Sequence, residues 1–249
     1  DDLFGSAPQV QAALGASNAV AFDLTAACSG FLFALVTAAQ FLKNGSMRRA
    51  LVIGADQLTR WVDWDDRRSC ILFGDGAGAL ALEASNDLEK NGILGFKLKS
   101  DGDRGNCLNL SQIEDSSELV PGINHKKGGF HSIQMNGQEV YKFAVREVPN
   151  ILEELLEEEK ISPNQIDWLL LHQANKRILD AVADRFSIPQ EKVLTNLSNY
   201  GNTSAATIPL MLDEAVREGL IQRGDLIASS GFGAGLSWGA ALLRWYGST

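Results

Sequence analysis

Two stretches of this chain repeat one order of elements at a fixed spacing, and that repeat limits the fold more than any other feature. Cys28 opens a helical pattern that closes at Gly45 and leads to the apolar strand Leu51 to Ala55; Asn202 opens another that closes at Gly219 and leads to the strand Asp225 to Ser229. Both pairs of landmarks lie 174 residues apart (202 − 28 and 219 − 45). Each copy runs on to a glycine cluster and a further apolar strand, Gly74 to Leu82 and Gly231 to Leu243. Recurrence of this kind marks an internal duplication. If a pseudo-twofold axis relates the copies, Cys28 and Asn202 hold equivalent helix starts and face one pocket.

The elements between these landmarks alternate. Pro8 to Leu14 predicts a short helix, and the apolar run Ala19 to Leu24 a buried strand just before Cys28. Phe31, Leu32, Leu35, Val36, Ala39 and Leu42 recur at steps of three and four, which predicts a helix from Cys28 to Lys43. Ala50 to Ala55 is a wholly apolar strand, followed by a polar, Trp-bearing loop, Thr59 to Ser69. Asp101 to Gly129 is polar and aperiodic, a surface loop between halves. Gln138 to Lys160 is a long helix, kinked at Pro149, with Glu153, Glu154 and Glu157 to Glu159 on its solvated side. Strands follow at Asp167 to His172, Val193 to Leu197, Asp225 to Ser230 and Gly239 to Trp245, with helices at Asn175 to Phe186 and Thr203 to Val216. Strands alternating with helices and apolar on both faces imply layered α/β halves with mainly parallel sheets. The division is 1–100 for a first half carrying Cys28, 101–129 for the connection and 130–249 for the second half.

Composition excludes several classes. With 249 residues, 45% hydrophobic and 21% charged, the chain can bury a sizeable core. A net charge of −9 argues against nucleic acid or an anionic membrane as partner, and no apolar run is long enough to span a bilayer. Cys28, Cys70 and Cys107 are too few and too scattered for a disulfide framework or a zinc motif, which fits a reducing compartment.

Three residues carry candidate chemistry. Cys28 lies where a strand meets a helix N-terminus, whose free N–H groups and dipole favour a thiolate. His172 ends a strand, where open α/β sheets form their ligand crevice. Asn202 lies in Tyr200-Gly201-Asn202-Thr203-Ser204 just before a helix. Taken singly, each has an ordinary reading: a small core hydrophobe, a satisfied histidine, an N-cap. Gly74-Asp75-Gly76-Ala77-Gly78 loosely matches a dinucleotide fingerprint, but a strand follows it instead of a helix, so nucleotide binding there is rejected. Gly231-Phe232-Gly233-Ala234-Gly235 brings backbone close to a ligand, with N–H groups available as oxyanion donors.

Thr25-Ala26-Ala27-Cys28-Ser29-Gly30, Leu171-His172-Gln173-Ala174-Asn175, Tyr200-Gly201-Asn202-Thr203-Ser204 and Gly231-Phe232-Gly233-Ala234-Gly235-Leu236-Ser237-Trp238-Gly239 together resemble the β-ketoacyl-acyl-carrier-protein synthase III family. These are thiolase-fold condensing enzymes that begin fatty acid synthesis. The match runs through essentially the whole chain in family order. Trp61-Val62-Asp63-Trp64-Asp65-Asp66-Arg67 and Ile133-Gln134-Met135-Asn136-Gly137 look most like cyanobacterial and plastid members.

The resemblance implies that Cys28 takes acetyl from acetyl-CoA, and that malonyl-acyl carrier protein then loses CO2 and attacks that thioester. His172 and Asn202 act as two neutral donors to the enolate, without metal or cofactor, each worth roughly 3 kcal/mol in the transition state. The backbone N–H groups of Cys28 and Ala234 hold the thioester oxyanion. Arg67 contacts the CoA adenine end, Gly137 and Asn175 the pantetheine, and Phe73 and Tyr141 the acyl pocket; Lys176 and Arg177, with Lys142 and Arg146, meet the acidic carrier protein. Elongating synthases pair two histidines with the cysteine and thiolases a second cysteine; Cys70 and Cys107 are not in such a motif.

Asp1-Asp2-Leu3-Phe4-Gly5 lacks an initiator methionine and leads almost at once to the Cys28 strand, so roughly the first quarter of a family member is expected to be missing. The first half is then incomplete, and the chain alone poorly stable or inactive. The complete protein is expected to be a homodimer in a bacterial cytoplasm or, alternatively, a plastid stroma. Rival readings are a relative with another acyl primer or acceptor and a non-catalytic scaffold of the same fold.

Overall fold

In the computed structural model, which describes residues 5–86, 92–113, 116–126 and 128–247, the predicted periods become defined elements. The opening Asp1 to Phe4 lies outside the described residues. Helix α1 is Ala7–Ala13 and α2 is Gly30–Lys43, followed by β1 (Arg49–Gln57), β2 (Asp75–Glu83) and β3 (Ile93–Ser100). Then come β4 (Leu108–Asn109), β5 (Ser116–Val120), β6 (Ile123–Lys126), β7 (Gln134–Met135) and α3 (Gly137–Glu158). The second copy holds β8 (Trp168–Leu171), α4 (Lys176–Arg185), the single turn α5 (Leu197–Tyr200), α6 (Thr207–Arg217), β9 (Leu226–Gly233) and β10 (Ser237–Arg244). Helix α3 runs on through Pro149.

The layers follow from where apolar side chains can hide. The sheet β3-β10-β9-β8 has α3 and α4 on one face, through Ile151, Leu155, Leu169, Leu171, Leu179 and Val182. Its other face meets α2 and α6 through Phe31, Leu35, Leu170, Ile208, Leu212 and Ala241. Every residue of β9 is buried. Beyond α2 and α6 lies the two-stranded sheet β1-β2, whose Val52, Leu80 and Leu82 complete that second core. Strand β3 pairs with β10, so the first copy lends a strand to the sheet of the second.

Five expectations need correction. The sheets are mixed and not mainly parallel: β8 and β9 run parallel, but β9 and β10 form a hairpin, and the β1-β2 and β3-β10 pairs are antiparallel. Ala19 to Leu24 forms no strand, because no described strand pairs with it; Val20 and Phe22 are exposed. Val193 to Leu197 reduces to one parallel bridge, Leu169 to Val193, before the chain turns into α5. Asp101 to Gly129 has structure of its own, including the exposed β5-β6 hairpin that turns at Gly122, whose φ of 83° suits glycine. Burial of β1 on both faces also fails: Leu51, Ile53 and Ala55 pair with Ala81, Ala79 and Ala77 on an exposed, largely apolar face.

The duplication is visible in backbone conformation. Ala27 (φ 46°) opens a 3-10 turn, Ala27–Ser29, leading into α2; Ser204 (φ 54°) opens another, Ser204–Ala206, leading into α6. Gly45 (φ 78°) and Gly219 (φ 72°) follow the two helices. The structural counterpart of Cys28 is therefore Ala205, not Asn202. Helix α2 has 14 residues and α6 has 11, so matching the closing glycines displaces the openings by that difference.

Glycines set how closely the copies approach. A Cβ on Gly54 would lie 2.1 Å from the Ala205 carbonyl oxygen, and one on Gly78 2.8 Å from Leu210 N. Gly54→Ala is expected to lower the unfolding free energy by about 2 to 3 kcal/mol through overpacking. Gly102→Ala, with open space around it, should change it by less than about 0.5 kcal/mol. Urea unfolding of the two variants checks the contrast.

Candidate active site

Cys28 stands at the middle of its 3-10 turn and is 8% exposed. The turn is tied to the hairpin beneath it: Ser29 Oγ lies 2.7 Å from the Ala26 carbonyl and 3.2 Å from that of Ser237. Strand β9 ends directly against it, since a Cβ on Gly233 would lie 2.6 Å from Cys28 N. The close approach that this glycine-rich ending makes is to the Cys28 turn. Among the described residues the Ala234 N–H meets no acceptor, and the Cys28 N–H meets only its own side-chain sulfur.

The second copy brings its own loop to the same place. Asn202 is pinned by backbone bonds to the strand-like segment at Phe73: its N–H donates to Leu72 O at 2.8 Å, and its carbonyl accepts from Gly74 N at 2.9 Å. Its side-chain Oδ1 accepts from Ser204 N at 2.8 Å. That fixes the amide, leaving Nδ2 as the end free to donate. Ser204 Oγ donates to Cys28 Sγ at 3.2 Å. His172 follows β8, held by its N–H to Ser230 O at 2.8 Å. Its ring meets Phe232 edge-on, with centroids 5.6 Å apart, and Nδ1 lies 2.6 Å from Thr207 Oγ1. Residues 202–207 therefore reach both Cys28 and His172.

Burial decides the charge states. It pushes the Cys28 thiol up to about 11; the Ser204 hydrogen bond works against this and the Asp56 carboxylate adds to it. The expected thiolate is thus corrected: loss of solvation outweighs the pull of the helix start. Burial likewise lowers His172 to about 3, so the imidazole is neutral. Asp56 reaches the site because its Oδ2 accepts from Ala205 N at 3.1 Å. Ser204, Thr207 and Asp56 were not singled out from sequence. The signal available was the hydroxyl-rich Thr203-Ser204-Ala205-Ala206-Thr207 before a helix, which reads as ordinary capping.

The remaining expected residues divide. A cleft of 730 Å³ is lined by Asp63, Asp66, Arg68, His131 and Gly137, among others, and none of Cys28, His172 and Asn202 lines it. Arg67 is exposed between two lining residues. Phe73 is half-buried beside Asn202, and Tyr141 is 38% exposed on α3. Asn175 caps α4 by accepting from Arg177 N at 2.9 Å. Lys176 pairs with Asp180, while the Arg177 side chain has no partner among the described residues. Lys142 and Arg146 pair with Glu139 and Glu147. Among the described residues no helix is long and apolar enough to cross a membrane, and no three His, Cys, Asp or Glu side chains gather as a metal site would require.

A buried thiol met by neutral groups from a duplicated copy fits a condensing acyltransferase of the thiolase-like fold, the class that the comparisons show. Residues 22–102 match the family model described as 3-Oxoacyl-[acyl-carrier-protein (ACP)] synthase III, and residues 156–245 match its C-terminal model. A Beta-ketoacyl-[acyl-carrier-protein] synthase III of Prochlorococcus marinus (strain MIT 9313) is 75% identical over 99% of this chain and 73% of its own length. One from Synechococcus sp. (strain RCC307) is 71% identical over 100% and 74%. The crystal structure of 3-oxoacyl-[acyl-carrier-protein] synthase III from Aquifex aeolicus VF5 matches with a TM-score of 0.87 and 42% identity, over 98% of this chain and 73% of that one. The chain belongs to the β-ketoacyl-acyl-carrier-protein synthase III family, acyltransferases that start fatty acid synthesis by condensing acetyl-CoA with malonyl-acyl carrier protein.

The charge states have a pH signature. The unfolded chain protonates His172 near its ordinary 6.5, while the folded site does so only near 3. Stability is therefore lost as pH falls through that window. Urea unfolding between pH 7 and pH 4 should show a shallower loss for His172→Gln than for the parent. At the other end, the rate of Cys28 alkylation by iodoacetamide should keep rising above pH 9, toward its raised value of about 11.

Proposed function

We propose that Cys28 is the acyl carrier of a decarboxylative condensation. Its sulfur attacks the acetyl thioester; the bond from carbon to the CoA sulfur breaks, and CoA leaves as the thiol. The N–H groups of Cys28 and Ala234 hold the oxyanion. Malonyl-acyl carrier protein then loses CO2, and the electron pair left behind passes through an enolate into the new carbon–carbon bond. Cys28 is released and reprotonated, and the product is acetoacetyl-acyl carrier protein. Asn202, whose amide is oriented by Ser204 N–H, donates to the enolate oxygen together with His172.

The observation that carries this reading is the junction at the thiol. The loop bearing Asn202 bonds directly to Cys28 Sγ through Ser204, and beside it the Ala234 N–H is free while the Cys28 N–H turns to its own sulfur. Arg67, between the cleft-lining Asp66 and Arg68, would take the CoA adenine end, with Gly137 and Asn175 along the pantetheine and Phe73 and Tyr141 at the acyl group. Arg177 and Lys176 would meet the acidic carrier protein, Arg177 with its charge unpaired. The halves would divide near 101–129. The full-length protein would work as a homodimer in a bacterial cytoplasm or, alternatively, a plastid stroma.

Incubation with labelled acetyl-CoA should place one acetyl group on Cys28, read by mass spectrometry of peptides. Cys28→Ala should carry none. Asn202→Ala should still acylate but slow condensation about 100-fold or more. Absence of label on Cys28, or equal label in Cys28→Ala, would overturn the reading.

A further inference from the structure

The buried hydroxyl of Ser204 has a single partner. Ser204 is 3% exposed, and among the described residues its Oγ meets only Cys28 Sγ, at 3.2 Å. The backbone that carries it is tied on every side: Ser204 N–H donates to Asn202 Oδ1 at 2.8 Å, its carbonyl accepts from Thr207 Oγ1 at 2.9 Å, and Ala205 N–H donates to Asp56 Oδ2 at 3.1 Å. The hydroxyl is thus set against the sulfur before any substrate binds, and a preorganised donor costs no rearrangement when charge develops. While Cys28 keeps its proton, either group can supply the hydrogen between oxygen and sulfur. A charged sulfur offers only lone pairs, so the contact is then Oγ–H to S−, the stronger, charge-assisted form. The Cys28 N–H is a second donor to the sulfur, acting more weakly than Ser204. That N–H is also the one the thioester oxyanion needs, so during attack Ser204 is the donor that stays on the sulfur. Burial and the Asp56 carboxylate oppose the sulfur's charge, and His172 beyond β8 is neutral.

We propose that Ser204 is a catalytic residue, the hydrogen-bond donor that carries the Cys28 sulfur through its charged states in both half-reactions. This deepens the condensing-enzyme reading and rests on it for its catalytic meaning. In the first half-reaction the sulfur gives up its proton and bonds to the acetyl carbon. CoA leaves with one proton on its own sulfur, so no proton is gained or lost overall. In the second, the enolate carbon bonds to the acetyl carbon, the carbon–sulfur bond breaks, and its electron pair stays on Cys28. The sulfur then takes one proton from solvent, which balances the negative charge that the malonyl carboxylate brought in. Each time the sulfur gains charge, the Ser204 hydroxyl already lies against it. The N–H of the same residue holds the Asn202 amide, so one turn residue sets the nucleophile and the enolate donor in a common frame.

The test is the pH dependence of Cys28 alkylation in the full chain. Ser204→Ala and Ser204→Gly both remove the hydroxyl and keep the N–H that holds Asn202, and glycine also suits the φ of 54° at this position. In both variants iodoacetamide should label Cys28, read by mass spectrometry of peptides, about 10- to 100-fold more slowly than in the parent at pH 9. The rise of the rate with pH should be displaced upward. A hydroxyl that only packs the turn gives the opposite sign, because its loss loosens the turn and speeds alkylation. Acetylation of Cys28 by acetyl-CoA, and condensation of the preformed acetyl-Cys28 with malonyl-acyl carrier protein, should each slow about 10- to 100-fold in single turnovers. Alkylation of Ser204→Gly as fast as the parent or faster, or an unchanged rate in either half-reaction, would overturn the proposal; if Ser204→Ala fails to fold, Ser204→Gly decides. A displaced alkylation profile in a protein whose Cys28 takes no acetyl group would instead overturn the condensing-enzyme reading and leave the serine–sulfur bond standing, without its catalytic meaning.

Discussion

The structure depends on the meeting of two tight turns, Ala27–Ser29 and Ser204–Ala206, each opened by a non-glycine residue in the left-handed region. Such conformations cost of order 1 to 3 kcal/mol each and persist only where the surroundings fix them. Here the surroundings are glycines. Gly233 lets the end of β9 touch the first turn, and Gly54 lets β1 touch the second. Side chains at either place would wedge the copies apart and separate Ser204 from Cys28. The one glycine cluster that loosely matches a nucleotide fingerprint, Gly74 to Gly78, is likewise a spacer for backbone packing. Strand β2 illustrates this: its Gly76 and Gly78 lie against Thr203, Leu210 and Pro209, so α6 sits almost on the strand.

From that contact the electrostatics follow. Both turns point into the packed interior between layers, so the thiol and the imidazole are desolvated and each is held neutral. A free cysteine at a helix start would ionise more readily, but the helix end contributes at most about 2 kcal/mol, and full burial can shift a group by several units in the other direction. The groups gathered there are neutral and oriented: the unpaired Ala234 N–H, the Cys28 N–H on its own sulfur, an amide held by Ser204 N–H, and a ring in contact with Thr207.

Much of this was legible in the sequence, for identifiable reasons. The helical steps from Phe31 to Leu42 and the apolar runs at Ala50 and Leu226 are local patterns, and they correspond to α2, β1 and β9. The duplication was visible because both helices close on a left-handed glycine. What failed was non-local. Ala19 to Leu24 has the composition of a strand, but a strand exists only with a hydrogen-bonded neighbour. Strand direction depends on the connections, and the short β9-β10 turn forces an antiparallel pair that no periodicity announces. The equivalence of Cys28 with Asn202 came from counting back from a glycine; the three-residue difference in helix length moved it to Ala205. Ser204 and Thr207 were hidden because a hydroxyl ahead of a helix is ordinary, and only the fold brings it to a sulfur and a ring nitrogen.

Asp56 qualifies the picture of a neutral site. Its carboxylate caps the second turn through Ala205 N–H, and its charge opposes ionisation of Cys28. The same group thus holds Ser204 near the sulfur and disfavours the thiolate there. The two effects suit a reaction that carries one negative charge through the pocket at a time. Malonate arrives charged, CO2 leaves neutral, and the charge moves through the enolate to the departing cysteine sulfur. A resident thiolate would repel the incoming carboxylate, whereas a thiol that loses its proton only as it attacks leaves the pocket uncharged for the second substrate. Once Cys28 is acylated it cannot ionise, and the opposition from Asp56 no longer bears on it. The cost falls on the first half-reaction, in which the sulfur gives up its proton against both burial and the Asp56 charge.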